Sequence, residues 1–470
     1  MTAVFLGIIA LSLVLAAFSK RGHAHQKAED FFVASGQFRT VLFFFLAVGE
    51  TYSIATILGY PGGIYANGTS AATWFLGYIL LAFVVGYFLN PLIWRAGRIH
   101  GAVTLPDLFR RHFDSRALEL IVTLASLVFL VPLGMSQFIG LQVVLNQLGW
   151  PVPALLLAGL AGVLAFTYIA ISGIRASAYV AVLKDILLIA AILLVGLAAI
   201  AHWGGDIRRI APTAAWKKAM QPTLKGDVFA ITTILMQSFG FCMVPQTCAY
   251  VFTARSANTV RRAQVTMPLY MIMFPFLTLT AYFALSHPIA VHAPNEVFLA
   301  VSRSLLPAPL VGLVMAGAAL SALVVLTGIC LAIGPIVSRN LVPGLSGDQQ
   351  RRWSQVVMAL YLILSIAAAA KSSQLLVTIN NLFYFGISQS LPGMLGILFL
   401  RRIRPFAIIA GIMAGDAIAI AIYELAIPVG GINAGFVGLL VNFAIVFAIL
   451  SLSPGKDRTP IIARRQRQSI

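Results

Sequence analysis

Of 470 residues, 60% are apolar and only 10% charged, and the mean hydropathy of +0.94 excludes an ordinary soluble domain. The net charge of +18 does not imply a nucleic-acid partner, because the basic residues fall in short segments between apolar runs instead of along one face. Cys242, Cys248 and Cys330 lie in apolar runs without metal-ligand spacing and read as packing thiols, so no metal centre or resident cofactor is expected. With no cluster of nucleophile and base either, an enzyme is not expected.

Runs of about 20 apolar residues, the length that crosses a bilayer, recur from end to end. They predict an all-α membrane protein of about 13 transmembrane helices, near residues 2–18, 39–65, 70–96, 117–147, 152–171, 175–202, 227–252, 263–286, 308–338, 351–370, 373–399, 404–426 and 434–452. Residues 1–470 then form a single membrane domain embedded in lipid. The first span lacks leading basic residues and is followed by Lys20 and Arg21, which reads as a retained helix with its N-terminus outside. In that orientation 25 of the 32 Lys and Arg residues lie inside, counting Lys184 at an inner helix end, as expected for a cell-membrane protein with a basic cytoplasmic tail at 453–470. The outer segment from Gly204 to Gly226 is the exception: its Arg208, Arg209, Lys217, Lys218 and Lys225 either steer an anionic solute or form a solvated loop.

Two spans look interrupted. The second carries Gly49-Glu50-Thr51-Tyr52-Ser53, and the seventh carries Gln237-Ser238-Phe239-Gly240 with Pro245-Gln246 further along. Such residues weaken a lipid-facing helix but suit backbone that opens onto a protected cavity. A pair of interrupted helices at matching places in two halves marks the midplane site of transporters built from inverted repeats. Each candidate here begins a unit of five spans, 39–202 and 227–399, with 2–18 leading and 404–452 trailing.

Glu50 is an ionisable group at membrane depth and therefore a functional candidate. Low-dielectric burial disfavours a charged carboxylate, which suits a proton carrier; a carboxylate fixed by the opened backbone is the structural alternative. Thr51, Tyr52 and Ser53 offer hydroxyls and free backbone donors to a solute carboxylate at the positive end of a half-helix. Gln137, Gln237 and Ser238 either bind solute or bridge helices, since a buried amide must be satisfied. Asn380, Asn381 and Gln389 pose the same question. Phe383 and Tyr384 are candidate gates, and Asp416 and Glu424 lie outside the repeats, where helix packing is the expected role. Thr104-Leu-Pro-Asp107 reads as the capped start of a structural amphipathic helix.

Tyr60-Pro-Gly-Gly-Ile-Tyr-Ala-Asn-Gly68, Pro91-Leu-Ile-Trp-Arg95, Gly101-Ala-Val-Thr-Leu-Pro-Asp-Leu-Phe-Arg-Arg-His-Phe113, and Ser172-Gly-Ile-Arg175 followed by Lys184-Asp185 together resemble the sodium:solute symporter family. Val48-Gly-Glu-Thr-Tyr-Ser53, Ser115-Arg-Ala-Leu-Glu-Leu120 and Ser338-Arg-Asn340 look most like its bacterial monocarboxylate permease branch. The resemblance implies a leucine-transporter-type core of two inverted five-helix repeats and ion-coupled uptake of a small solute by alternating access. It implies a sodium site made from carbonyls near Gly49 and Tyr52 and from hydroxyls of core helix eight, with the acidic residue Asp185 near the ion's exit path or in a local ion pair at the membrane interface. Counting back from Ser338 puts Val324 and Val325 at the hydroxyl positions. Valine has no oxygen for a hard cation, so either Ser321 or Thr327 substitutes after a register shift or a proton is the coupling ion. The expected function is a symporter of a small, anionic monocarboxylate such as pyruvate or lactate, driven by protons or sodium. The alternative is a solute sensor of the same fold.

Overall fold

The computed structural model describes residues 1–19, 28–34, 37–150, 153–206, 217, 221–342, 344–372, 374–453 and 455–464. Lys20, Arg21, Lys27, Arg208, Arg209, Lys218 and the last residues of the basic tail lie outside them. Besides a short helix over Ala28–Val33, the helices are α1 (Thr2–Phe18), α2 (Thr40–Thr51), α3 (Ala55–Asn67), α4 (Thr69–His100), α5 (Leu105–Phe113), α6 (Arg116–Gln147), α7 (Ala154–Ser172), α8 (Ile174–His202), α9 (Leu224–Gly240), α10 (Pro245–Thr253), α11 (Ala257–Ser286), α12 (Val297–Leu305), α13 (Ala308–Asn340), α14 (Gly347–Ala370), α15 (Leu376–Ile387), α16 (Leu391–Phe399), α17 (Pro405–Glu424) and α18 (Ala434–Leu452). Among the described residues, ten helical stretches are long and apolar enough to cross a membrane, or eleven with the bent pair α2–α3 taken as one span. The sequence pattern predicts thirteen; α1 has only 17 residues, and the apolar stretch described within α7 is Gly159–Tyr168.

Both predicted interruptions are present. Between α2 and α3 the axis bends by 46°. Tyr52 is extended there (φ −95°, ψ 93°), the Thr51 hydroxyl folds back to donate to the Ala47 carbonyl at 2.7 Å, and the Ser53 hydroxyl accepts the Ala55 N–H at 3.1 Å to start the next segment. Between α9 and α10 a short 3-10 turn leads to Val244, extended because the residue before a proline avoids the helical region, and Pro245 opens α10. A third break, over Ser388–Ser390 between α15 and α16, lies inside what the pattern reads as one span. Its loose carbonyl is held from a trailing helix, where the Asn442 amide of α18 donates to the Gln389 carbonyl at 2.8 Å.

The helix α13 is the hub: nearly all of its apolar window is buried, whereas α17 and α18 pair with each other at the edge. Where α2, α8 and α13 meet, the packing has no slack. A Cβ on Gly49 would lie 2.8 Å from the Ala181 Cβ and 3.5 Å from a Val324 methyl. Small residues permit that approach in a membrane core, where close packing rather than hydrophobic exclusion joins helices.

One end of the bundle is fastened by a polar knot. Thr104 caps α5 by accepting the Asp107 N–H at 3.1 Å, as its sequence predicts. At the end of α13 the Asn340 amide donates to Asp107 and to Glu119, 2.7 Å each, while its carbonyl accepts the Thr104 hydroxyl at 2.8 Å. Arg110 and Arg116 reach the same Glu119 at 3.0 and 2.5 Å, and Arg339 reaches Asp107 at 3.2 Å. Hydrogen bonds to charged groups contribute about 1.5–3 kcal/mol each. Asn340→Ala removes two of them from buried carboxylates and is expected to destabilise the purified protein by about 2–4 kcal/mol, read as a lowered melting temperature; an unchanged one would show that the knot does not hold these helices.

Candidate functional site

Breaking a helix strands the carbonyls of its last turn. In α2 these belong to Gly49 and Tyr52, and both accept hydrogen bonds from the Lys184 ammonium of α8, at 3.2 and 2.9 Å. The third partner of that ammonium is the carboxylate of the next residue, Asp185, at 2.6 Å. Lys184 and Asp185 are both 0% exposed, so the pair is a local ion pair, one of the two alternatives for Asp185, and it faces the protein interior. Lys184 lies about a third of the way along α8, and the helix-packing geometry aims its whole side chain at the break. A cation at the C-terminal end of a helix meets partial negative charge, so the ammonium has two hydrogen-bonded carbonyls and an ion-pair partner.

Beside this knot lies a narrow cavity of about 30 Å³, lined by Glu50, Thr51, Ser53, Thr56, Tyr78, Gln246, Thr247, Val325, Asn380, Phe383 and Tyr384 among others. That is room for one or two waters, so a solute enters only when the walls separate. Among the described residues, both carboxyl oxygens of Glu50, the Gln246 carbonyl oxygen and the Asn380 amide nitrogen are buried without a partner. The Glu50 carboxyl fits because the facing residue on α13 is glycine: a Cβ on Gly328 would lie within 2.1 Å of both its oxygens.

The break thus brings together Glu50, Thr51, Ser53, Asn380, Phe383 and Tyr384 of the predicted residues, with Val325 in the same wall. The others lie outside the lining. Tyr52 contributes its carbonyl to Lys184, while its ring stacks on Tyr270 at 5.4 Å and its hydroxyl donates to Met271. The Gln237 amide donates to Asn381 at 3.0 Å, and Asn433 of the α18 N-cap donates to the same Asn381 oxygen at 2.9 Å, so these two amides act as bridges between helices. Ser238 donates to the Tyr78 carbonyl, and Gln137 donates to Leu133 and Ser136 within its own helix. Gln389 is tied to α18. Ser321 and Thr327 donate to carbonyls of their own helix at 2.8 Å each. Asp416 is half-buried away from the cavity and Glu424 is exposed. The residues that sequence reasoning does not assign to the site, Thr56, Gln246 and Thr247, sit just beyond the two predicted breaks; that proximity is the signal that could have found them.

The family model described as "Sodium:solute symporter family" matches residues 31–415. A Bacillus subtilis protein described as uncharacterized symporter YhjB is 24% identical over 469 residues, 95% of this chain and 96% of its own length. A monocarboxylate transport permease protein of Rhizobium johnstonii is 24% identical over 450 residues, covering 89% of each. Among solved structures, a Na+-coupled sialic acid symporter in a substrate-bound, outward-open state superposes with a TM-score of 0.79 at 18% identity, over 97% of this chain and 98% of that one. Its likeness establishes the leucine-transporter-type fold. The chain is therefore a multi-pass membrane protein, a symporter rather than an enzyme, and it belongs to the sodium:solute symporter family.

Proposed function

We propose that the protein takes up a small monocarboxylate, of the size of pyruvate or lactate, by alternating access, with residues 39–202 and 227–399 as the inverted repeats and with protons or sodium supplying the drive. The observation that carries this reading is the cavity at the α2–α3 break, where buried polar atoms of Glu50, Gln246 and Asn380 have no partner among the described residues. Buried polar groups are paired in folded proteins, so unpaired ones turned to a cavity await a ligand. A carboxylate solute would meet the Asn380 amide, the hydroxyls of Ser53 and Thr247, and the N-terminal end of α3, whose dipole favours an anion. The name of the Rhizobium relative supports the same solute class. The basic bias supports insertion in the cell membrane with the C-terminus in the cytoplasm: with the buried Lys184 removed from the count, 24 of 32 Lys and Arg residues still fall on that side.

Glu50 is the group in the cavity suited to carry a proton with the solute. In proteoliposomes, Glu50→Gln is expected to reduce uphill accumulation of labelled pyruvate to that of protein-free liposomes while the melting temperature holds; full proton-driven accumulation by this variant would refute the carrier role. Gly328→Ala provides a separate check. Its methyl must displace the Glu50 carboxyl, at an overpacking cost of about 1–3 kcal/mol, so the variant is expected to fold and to transport poorly. Normal uptake by Gly328→Ala would show that the position of the Glu50 carboxyl against α13 does not matter.

A further inference from the structure

The family name implies a sodium ion, and the fold offers it the carbonyls of the first broken helix. In this chain those carbonyls are already engaged. The Gly49 and Tyr52 oxygens accept from the Lys184 ammonium, and Asp185, the acidic residue of the same neighbourhood, closes the third side at 2.6 Å. From α13 the face turned to the break presents Val324, packed toward Gly49, and Val325, in the cavity lining; neither has an oxygen on its side chain. The hydroxyls of Ser321 and Thr327 are turned to their own helix. A hard cation needs oxygen ligands to replace its water, and here it would lose the hydroxyls and meet a like charge at the position of its carbonyl ligands. The donor set does not fit sodium.

We infer that the Lys184 ammonium is a covalently tethered substitute for the sodium ion, so that this symporter neither binds sodium at the α2 break nor needs it for transport. The fit is mutual. The ammonium has two carbonyl acceptors and an ion-pair carboxylate in a fully buried setting, and the two carbonyls lie where α2 has run out of N–H donors of its own. Each needs the other, because an unpaired buried charge and an unpaired buried carbonyl both carry large penalties. A lysine fixed in this way completes the helix end as a bound ion would, without dissociating. The inference rests on the symporter reading for its meaning in transport, but its binding claim does not depend on which solute is carried.

The test uses the purified full-length protein. Its melting temperature is compared in sodium chloride and choline chloride at equal ionic strength, and binding of radioactive sodium is measured alongside. The wild type is expected to show no sodium-specific shift and no saturable binding. Lys184→Ala opens a cation-sized gap beside two carbonyls and a carboxylate; it is expected to melt lower and to regain stability in sodium but not in choline, and Lys184→Ala with Val324→Ser and Val325→Thr to respond at lower sodium concentration. Saturable binding of one sodium per wild-type chain would overturn the inference, and so would a well-folded Lys184→Ala indifferent to sodium. If the variants fail to fold, the wild-type arm decides alone. Pyruvate uptake by wild-type proteoliposomes separates the two readings: equal uptake with and without sodium supports both, sodium-dependent uptake overturns the tethered cation while keeping the symporter, and absence of pyruvate uptake removes that solute without touching the binding result.

Discussion

The structure depends on one contact, the Lys184 ammonium held between the open end of α2 and the Asp185 carboxylate. An interrupted helix at membrane depth is costly because its last carbonyls find no water there, and a buried lysine is costly because its charge has left water. Placed together, the two costs offset. The contact also explains the tight crossing of α2, α8 and α13: the ammonium reaches the break only if α8 lies close, and the absence of a side chain at Gly49 lets Ala181 and Val324 approach. The break in turn swings Glu50, Thr51 and Ser53 toward the cavity. The cavity at the break follows from the way the broken helix is capped.

The other two breaks are completed by different means. Between α9 and α10 the chain relies on Pro245, which needs no acceptor for a backbone N–H at the first helical position, and on the extended Val244 that proline imposes. Between α15 and α16 the loose carbonyl of Gln389 is satisfied by Asn442 from α18, outside the repeat core. The trailing helices therefore have a structural role. Asn433 and Asn442 of the α18 segment hold the amides of α15 and the third break, including the Asn381 that Gln237 also bridges. This is why residues that resemble solute ligands by type prove to be joints between helices.

What the sequence reveals divides along the same line. Long apolar runs and their interruption by glycine, hydroxyl residues and proline are one-dimensional signals, so the spans, the two breaks and the Thr104 cap are legible in the residue order alone. Helix facing is not. Asn380 and Asn381 are neighbours in sequence, yet residues one apart on a helix point about 100° from each other, and only Asn380 meets the cavity. The third break hides in an apolar context, because Ser388-Gln-Ser390 is followed at once by another apolar run. The inward facing of Lys184 is hidden from the pattern for a different reason. A lone basic residue near the start of a span reads as an interfacial anchor, and only the packing of α8 against α2 shows that it faces inward. The rule that an ionisable residue at membrane depth is a functional candidate applies to Lys184 as well as to Glu50.

The charges of the core then divide the work. Lys184 and Asp185 neutralise each other and are fixed to the same helix, so neither can leave during a transport cycle. Glu50, on the other side of the same break, faces the cavity and has no partner among the described residues. An exchangeable ion at the break would loosen α2 each time it departed, coupling ion release to helix movement. On the inference drawn above, a tethered ammonium would keep that joint closed throughout the cycle. The groups free to change partners as the cavity opens to either side are then those in its wall, and Glu50 is the only carboxyl among the lining residues. On the proposed reading, the drive acts through the wall of the cavity, where Glu50 lies, and not through the capped end of the broken helix.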